Sequence, residues 1–238
     1  MMYDVLNKIK RKWMKLRLQP IRVFCFHQVS ETFDASTMWE CDWTQIDQFK
    51  QNILYLQSKY NFISLEDAYH KLMHDKIRSK KYAVLTADDG WASMKNIIPW
   101  LAEQEIPVTL FVNSEYLDGK HYQAKSTEKL LTQRDLIEIL NTYPQYVTIA
   151  SHGKTHIDAS MLSIEDFKMN VEVAEEILKG YKNKIEFYAF TYGHHTKEQL
   201  IGLEDAGLVP VLVDGRKNYA FDGVIHRKCV DGKKMEKR

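Results

Sequence analysis

The order of apolar and polar residues along the chain shows two alternating periodicities. Short, mainly apolar segments predict buried β-strands at 21–26 (IRVFCF), 83–87 (AVLTA), 107–112 (PVTLFV), 146–151 (YVTIAS), 185–190 (IEFYAF) and 208–213 (LVPVLV). A weaker strand candidate covers 62–64 (FIS). Because parallel strands are covered on both faces and are apolar along their length, these segments are typical of a parallel sheet.

Helical periodicity fills the intervals between the strands. Apolar residues three or four positions apart predict amphipathic helices at 44–60, 64–76, 132–141, 163–180 and 196–207. Strands and helices in alternation indicate βαβ units and an α/β fold. In such folds the functional residues lie at the carboxyl ends of the strands. The alternation fits a closed (β/α) barrel and an open sheet equally well.

Composition limits the class of protein. The chain has 238 residues, which is enough for one sizeable domain. Its 33 basic residues nearly balance its 32 acidic residues, which argues against a nucleic-acid-binding protein. The three cysteines, Cys25, Cys41 and Cys229, form no CxxC pair and are odd in number, so we expect neither a structural zinc cluster nor a disulfide framework.

The two ends of the chain differ from the region between them. Residues 1–20 combine six basic residues with one acid and interleaved apolar residues, a basic amphipathic pattern. This segment either docks on an anionic membrane surface or is a solvated helix. Residues 231–238 form a charged tail, so we expect the main domain at 21–230. Without a secretory signal or a membrane-spanning run, we expect a cytoplasmic protein, peripheral on the inner membrane if 1–20 docks.

Reactive side chains follow the predicted strands. Asp88 and Asp89 come directly after 83–87, in the sequence TADDG. Adjacent carboxylates repel, and burying them costs free energy unless a positive charge compensates. The pair therefore predicts a cation at this strand end, although turns and helix N-caps also favour Asp.

Histidines at other strand ends favour the cation. The side chains that follow the other strands are His27, His152, His156, Tyr192, His194, His195 and Asp214. In a parallel sheet these groups converge on one rim. Two imidazoles from HGKTH and one carboxylate form a three-ligand metal site with positions open to water. One acid of the Asp-Asp pair would bind the cation, and the other would act as a general base.

Four short motifs resemble the polysaccharide deacetylases (carbohydrate esterase family 4), relatives of chitin deacetylase and peptidoglycan N-acetylglucosamine deacetylase. TADDG at 86–90 is similar to the family's Thr-Phe-Asp-Asp-Gly, and SHGKTH at 151–156 is similar to its histidine motif. YAFTYG at 188–193 resembles Phe-Ala-Tyr-Pro-Tyr-Gly, and FHQV at 26–29 resembles an early Tyr-His-x-Val element. The resemblance covers residues 21–230, nearly the whole chain.

The resemblance implies a fold and a set of roles. The fold would be a distorted (β/α) barrel with about seven parallel strands. At matching positions, Asp89, His152 and His156 would hold a divalent metal, most simply zinc. Asp88 would be the general base, and the backbone at Tyr192 would help to bind the oxyanion.

Departures from the family pattern leave parts of the mechanism open. Ala87 replaces a Phe, which we expect to affect packing, and Thr191 replaces a Pro. No Arg stands beside the base where some members have one, so the pKa of Asp88 is open.

The catalytic acid is a second open point. His226, in VIHRKC, is the first candidate, and His27, after the first strand, is the second. The sequence IHR aligns alternatively with a late Ile-x-Arg element, which would make Arg227 the matching residue. Trp91, directly after the Asp-Asp-Gly sequence, is the best candidate for stacking on a sugar ring.

The resulting hypothesis is a metal-dependent hydrolase that removes N-acetyl groups from N-acetylglucosamine-type sugars in a surface polysaccharide or its precursor. Its partner would be an N-acetylated glycan, with no nucleic acid and with membrane contact only through residues 1–20. The alternatives are a carbohydrate- and metal-binding relative without turnover, and an amidohydrolase acting on a small lipid-linked sugar.

Overall fold

The computed structural model describes residues 18–32, 43–118 and 130–232. Ten strands lie within these ranges: β1 (Ile21–Phe26), β2 (Gln28–Ser30), β3 (Trp43–Gln45), β4 (Asn61–Phe62), β5 (Tyr82–Ala87), β6 (Val108–Val112), β7 (Val147–Ser151), β8 (Lys184–Ala189), β9 (Val209–Val213) and β10 (Ile225–Cys229). The same ranges contain the α-helices α1 (Ile46–Gln57), α2 (Leu65–His74), α3 (Met94–Glu103), α4 (Gln133–Thr142), α5 (Ile164–Leu178) and α6 (Lys197–Asp205).

Seven of the strands form a closed parallel barrel. Their order is β1-β10-β9-β8-β7-β6-β5, and β5 pairs with β1 over six residue pairs to close the ring. The register shifts between β7 and β8, and the short β4 pairs with the first residues of β5. The closed ring decides between the barrel and the open sheet, and the prediction of a distorted (β/α) barrel is confirmed.

The sequence pattern located most elements but missed two that matter. The six main strand predictions agree with the structure to within one residue at either end. Among the seven barrel strands the missed one is β10, whose sequence IHRKC contains three basic or imidazole side chains and is not typical of a buried strand. The short pair β2 and β3, outside the barrel, was also not predicted. The missed helix is α3, which contains Pro99, a residue that usually interrupts a helix.

The core occupies both faces of the barrel wall. Inward-facing residues such as Val23, Val84 and Ile225 form one buried cluster with Leu65 and Leu72 of α2. This helix therefore covers the amino-terminal end of the barrel and leaves the carboxyl end to the polar residues. Outward-facing strand residues pack against α1, α3 and α4 in one cluster and against α5 and α6 in another.

The predicted membrane-docking segment lies mainly outside the described residues, because the description begins at residue 18. Docking by residues 1–20 stays a prediction. Within the described ranges, no helix combines the length and the apolar character that crossing a membrane requires.

We expect Leu65→Ala to destabilise the fold strongly. Leu65 is fully buried against the inward-facing strand residues, and a Leu-to-Ala change in a core costs about 2–5 kcal/mol. Ile201→Ala on the exposed face of α6 is the matched control and should change stability by less than about 0.5 kcal/mol. Urea unfolding measures both, and equal effects would contradict the role given to α2.

Candidate active site

The Asp-Asp pair stands on a strained turn at the carboxyl end of β5. The backbone N–H of Asp88 donates a 3.0 Å hydrogen bond to the Phe26 carbonyl, which continues the β1–β5 pairing. The chain then turns through two left-handed residues, Asp89 with φ of 69° and Gly90 with φ of 72°. A non-glycine residue in this conformation is strained, a feature that concentrates at functional sites. The turn separates the surroundings of the two neighbouring carboxylates.

Asp88 forms a bidentate ion pair with Arg227 of β10. Arg227 Nη1 donates to Oδ1 at 2.6 Å, and Nη2 donates to Oδ2 at 2.8 Å. The guanidinium is fully buried, hydrogen-bonds to Thr86 and lies 5.0 Å from the ring centroid of Phe111. The inference from sequence that no Arg stands beside the base was therefore wrong. β10 supplies it from 139 residues away.

The ion pair fixes the charge of Asp88. Burial is the largest single cause and raises the pKa of this carboxyl. The charge and hydrogen bonds of Arg227, together with the nearby His152 and His27, lower the pKa by more in total, and the net pKa lies below the ordinary value. The sequence had left the pKa of Asp88 open, and the structure gives the direction of its shift. Asp88 is an ionised carboxylate held by two charge-assisted hydrogen bonds at the strand end.

Asp89, His152 and His156 converge on one point. Oδ1 of Asp89 lies 3.3 Å from Nε2 of His152 and 3.1 Å from Nε2 of His156. The ligand atoms of the three side chains lie within 4.8 Å of one another. Two imidazole nitrogens and a carboxylate oxygen are ligands that zinc and other divalent transition metals accept.

The hydrogen bonds behind this trio fit a bound cation. Nδ1 of His152 donates to the Ala189 carbonyl at 2.8 Å, which leaves the Nε2 lone pair directed at Asp89. Oδ2 of Asp89 accepts a 3.1 Å hydrogen bond from Trp91 Nε1. Oδ1 is buried and accepts no hydrogen bond of good geometry from the described residues. A buried carboxylate oxygen between two imidazole nitrogens is stabilised by a positive charge, and these residues therefore fit a divalent metal.

Trp91 does not have the role that its position in the sequence predicted. The indole is almost fully buried and hydrogen-bonds to the carboxylate of Asp89. It therefore orients a proposed metal ligand and does not present a face to a sugar. Its place directly after the Asp-Asp-Gly turn explains why it contacts the site at all.

His27 lies at the same rim and is paired with a buried acid. Its Nδ1 donates to Oδ2 of Asp231 at 2.7 Å, and its backbone N–H donates to Oδ1 at 3.0 Å. Burial lowers the pKa of His27, but the charge and hydrogen bond of Asp231, together with Cys229 and Asp89, raise it by more in total, and the net pKa is well above the ordinary value. Burial in turn raises the pKa of Asp231 to about 7. His27 is close enough for its charge to lower the pKa of both Asp88 and Asp89.

His226, the first candidate for the acid, is held in a different network. Its Nδ1 lies 2.8 Å from Asp214, and its Nε2 lies 3.2 Å from Asp222. Side chains alternate along a strand, so His226 points away from the barrel interior that its neighbour Arg227 enters. Both ring nitrogens are engaged by carboxylates of the β9–β10 connection. The structure therefore brings His27, and not His226, to the carboxylate pair.

Tyr192 lies against the proposed metal ligands. It adopts a left-handed conformation with φ of 58°, and its ring packs 4.6 Å from the ring of His156. The hydroxyl of Thr191, the residue that stands in place of the family's Pro, donates to the Ile157 carbonyl. This hydrogen bond ties the loop after β8 to the loop that carries His156.

Sequence reasoning missed the partners of the two proposed proton-transfer groups. Arg227 was named only as an alternative alignment, and Asp231 was assigned to the charged tail. Both are buried by the barrel, Arg227 within it and Asp231 two residues after β10. An acidic residue directly after an undetected strand was the available signal for Asp231.

The family of this chain is identified by a match to a family sequence model, which agrees with the geometry of the site. A model of the polysaccharide deacetylase family matches residues 75–211, more than half of the chain and the part that carries Asp88, Asp89, His152, His156 and Tyr192. The chain belongs to the polysaccharide deacetylase family. No curated protein matches it significantly at the level of sequence.

Solved structures support the fold. IcaB from Ammonifex degensii aligns with a TM-score of 0.75 and 18% identity, over 91% of this chain and 94% of that one. A de-N-acetylase from Aggregatibacter actinomycetemcomitans aligns with a TM-score of 0.72 and 17% identity, over 88% and 94%. The deacetylase PplD from Streptococcus pyogenes, solved with acetate, gives a TM-score of 0.71 at 16% identity, over 92% and 100%. At sequence identities this low, the structural alignments establish the shared fold alone.

We expect Arg227→Met to destabilise the protein by about 3–5 kcal/mol, because it leaves the Asp88 carboxylate buried without a partner. The double variant Asp88→Asn/Arg227→Met should lose less than the sum of the single changes. Urea unfolding of chelator-treated protein measures this coupling.

The same pair gives a pH dependence with a defined sign. Because the pKa of Asp88 is lowered in the folded state, the stabilisation is complete above the ordinary pKa of Asp and is lost as pH falls through the lowered value. Arg227→Met should lack this loss. Two results would contradict the contribution of the ion pair to stability. One is that the effects of the two single changes on the free energy of unfolding add up in the double variant, and the other is that Arg227→Met and the wild type lose stability identically at acid pH.

Proposed function

We propose that this protein is a metal-dependent hydrolase that removes the N-acetyl group from an amino sugar of the N-acetylglucosamine type. The observation that carries the proposal is the ionised Asp88, fixed by Arg227, beside the trio of Asp89, His152 and His156. Membership of the polysaccharide deacetylase family supports deacetylation of a glycan. Two structural relatives, a de-N-acetylase and a deacetylase solved in complex with acetate, agree with this chemistry.

Asp88 is proposed as the general base. Its pKa lies below the ordinary value, so near neutral pH it is free of a proton and accepts one from the attacking water. Arg227 occupies both carboxylate oxygens from one side and holds the group in a single orientation. It thereby reduces the motion that proton transfer would otherwise require.

Asp89, His152 and His156 are proposed to hold the cation. When bound, it supplies Lewis acidity toward the acetamide carbonyl and the attacking water. Trp91 and the Ala189 carbonyl orient two of the three ligands. The donor set favours zinc, although cobalt, nickel and iron accept the same ligands.

His27 is proposed as the general acid that protonates the leaving amine. Its raised pKa keeps it protonated near neutral pH, and Asp231 fixes Nδ1, which leaves Nε2 for the proton transfer. The backbone N–H of Tyr192 is proposed to stabilise the oxyanion, since its left-handed turn is held against His156.

One argument for a non-catalytic relative no longer applies. That alternative depended on the missing Arg beside the base, and Arg227 occupies this position. The substrate is proposed only by its chemical class, which is an N-acetylated amino sugar in a surface polysaccharide or its precursor. A cytoplasmic location and membrane contact through residues 1–20 are part of the same proposal and favour a precursor.

We expect the zinc-reconstituted protein to release acetate from N-acetylglucosamine oligomers. Asp88→Asn should lower the rate by about 10²–10⁴-fold, because general-base catalysis contributes that much. Asp205→Asn, an exposed carboxylate at the end of α6, is the matched control and should retain the wild-type rate. Acetate is measured by an enzyme-coupled assay.

Metal removal tests the same proposal. A chelator should abolish acetate release, and added zinc should restore it. Zinc-loaded wild-type protein that releases no acetate from these oligomers would contradict oligomer deacetylation, and lipid-linked amino sugars would be the next substrates.

The choice of the acid is tested by two matched changes. His27→Asn should lower the turnover of the oligomer by about 10²-fold and remove the basic limb of the pH–rate profile. His226→Asn should keep the turnover within a few-fold of the wild type and should retain the basic limb, because His226 faces the β9–β10 connection. Circular dichroism first establishes that each variant is folded. A larger loss in His226→Asn than in His27→Asn would reverse the assignment.

A further inference from the structure

A second cluster of metal-ligating side chains lies beside the proposed acid, where β1 and β10 end. It consists of His27, Cys229 and Asp231, whose ligand atoms lie within 4.8 Å of one another. Oδ2 of Asp231 is 2.7 Å from His27 Nδ1 and 3.1 Å from Cys229 Sγ. Ligand atoms around a tetrahedral zinc ion are separated by about 3.3–3.8 Å, so a cation fits after small movements.

The chemistry of the three donors suits a borderline-soft cation. A sulfur, an imidazole nitrogen and a carboxylate oxygen are all ligands of zinc. Cys25, in register with Cys229 on the neighbouring strand, hydrogen-bonds to Cys229 and favours its thiolate form. Thr44 hydrogen-bonds to Oδ1 of Asp231 and holds the carboxylate from behind.

The cluster is accessible, in contrast to an ordinary core site. The side chain of His27 is 19% exposed, and Cys229 is only partly buried. Asp231 is fully buried, so its carboxyl oxygens face His27 and Cys229 without competing solvation. An ion can therefore enter from the rim on which the proposed substrate site opens.

We propose that His27, Cys229 and Asp231 form a second zinc site, distinct from the Asp89 trio, through which excess zinc inhibits the enzyme. Binding releases the Nδ1 proton of His27 to solvent, and the sulfur of Cys229 binds as the thiolate that Cys25 favours. An imidazole coordinated through Nδ1 keeps its Nε2 proton, but donating that proton would leave an imidazolate in place of a neutral ring. Zinc at this site therefore converts the proposed acid into a much weaker one. This effect on turnover rests on the proposed function, whereas the binding of the metal does not.

Cobalt titration distinguishes the two sites, because only the second contains sulfur. Wild-type protein, kept reduced, should bind two Co²⁺ per chain and show a thiolate-to-cobalt charge-transfer band in the near ultraviolet. Cys229→Ser and Cys229→Ala should lose the band and one ion. Asp89→Asn should also lose one ion but keep the band.

Two further variants control for the other thiols. Cys25→Ser and Cys41→Ser should keep the band, since neither residue is a proposed ligand. Circular dichroism establishes the folding of every variant. A wild-type protein without the band, a band that survives both Cys229 changes, or a band lost in Asp89→Asn would each overturn the second site.

The functional consequence is measured separately. Acetate release should rise with the first zinc equivalent and fall at least tenfold at high zinc in the wild type. Relative to its own maximum, Cys229→Ser should show little of this fall. Equal inhibition of the two proteins would overturn the inhibitory role. Absence of acetate release in every protein would contradict the proposed function, while the cobalt band would still report on the site.

Discussion

The buried contact between Arg227 and Asp88 constrains the rest of the site. A guanidinium inside a barrel is costly unless its charge is compensated, and the carboxylate at the end of β5 compensates it with two hydrogen bonds. The contact links β5 to β10, which are separated in the ring by β1. It thereby fixes how the barrel closes at the end where all the proposed catalytic groups stand.

From this contact the division of roles between two adjacent acids follows. Asp88 is turned toward a permanent positive charge, and Asp89 is turned toward two imidazoles. The left-handed conformation of Asp89 makes this divergence possible, at the cost of local strain. Two like charges side by side are thus stabilised by separate partners, a protein cation for one and a proposed metal for the other.

At the rim formed by the ends of β1 and β10, one carboxylate contacts two other functional groups. Asp231 faces His27 and Cys229 together, so one buried carboxylate serves the proposed acid and completes the second cluster of metal-ligating groups. The proximity of a thiol to an acid–base pair has a chemical consequence, because the same lone pairs that transfer protons also bind cations. In this protein the proposed catalysis and the proposed metal inhibition therefore involve the same imidazole.

The sequence by itself determined the α/β class, the bounds of six barrel strands and the residues at their carboxyl ends. Strand periodicity and the reactive residues that follow each strand are local features, so Asp88, Asp89, His152, His156 and His27 could be named without a structure. Only the tertiary structure showed the barrel closure, the partner of each acid and the position of His27, and not His226, near the carboxylate pair. Arg227 meets Asp88 across 139 residues, and Asp231 meets His27 across 204. No local pattern encodes contacts over such separations. The polar strand β10, recognisable only once the barrel buries it, brings both partners to the site.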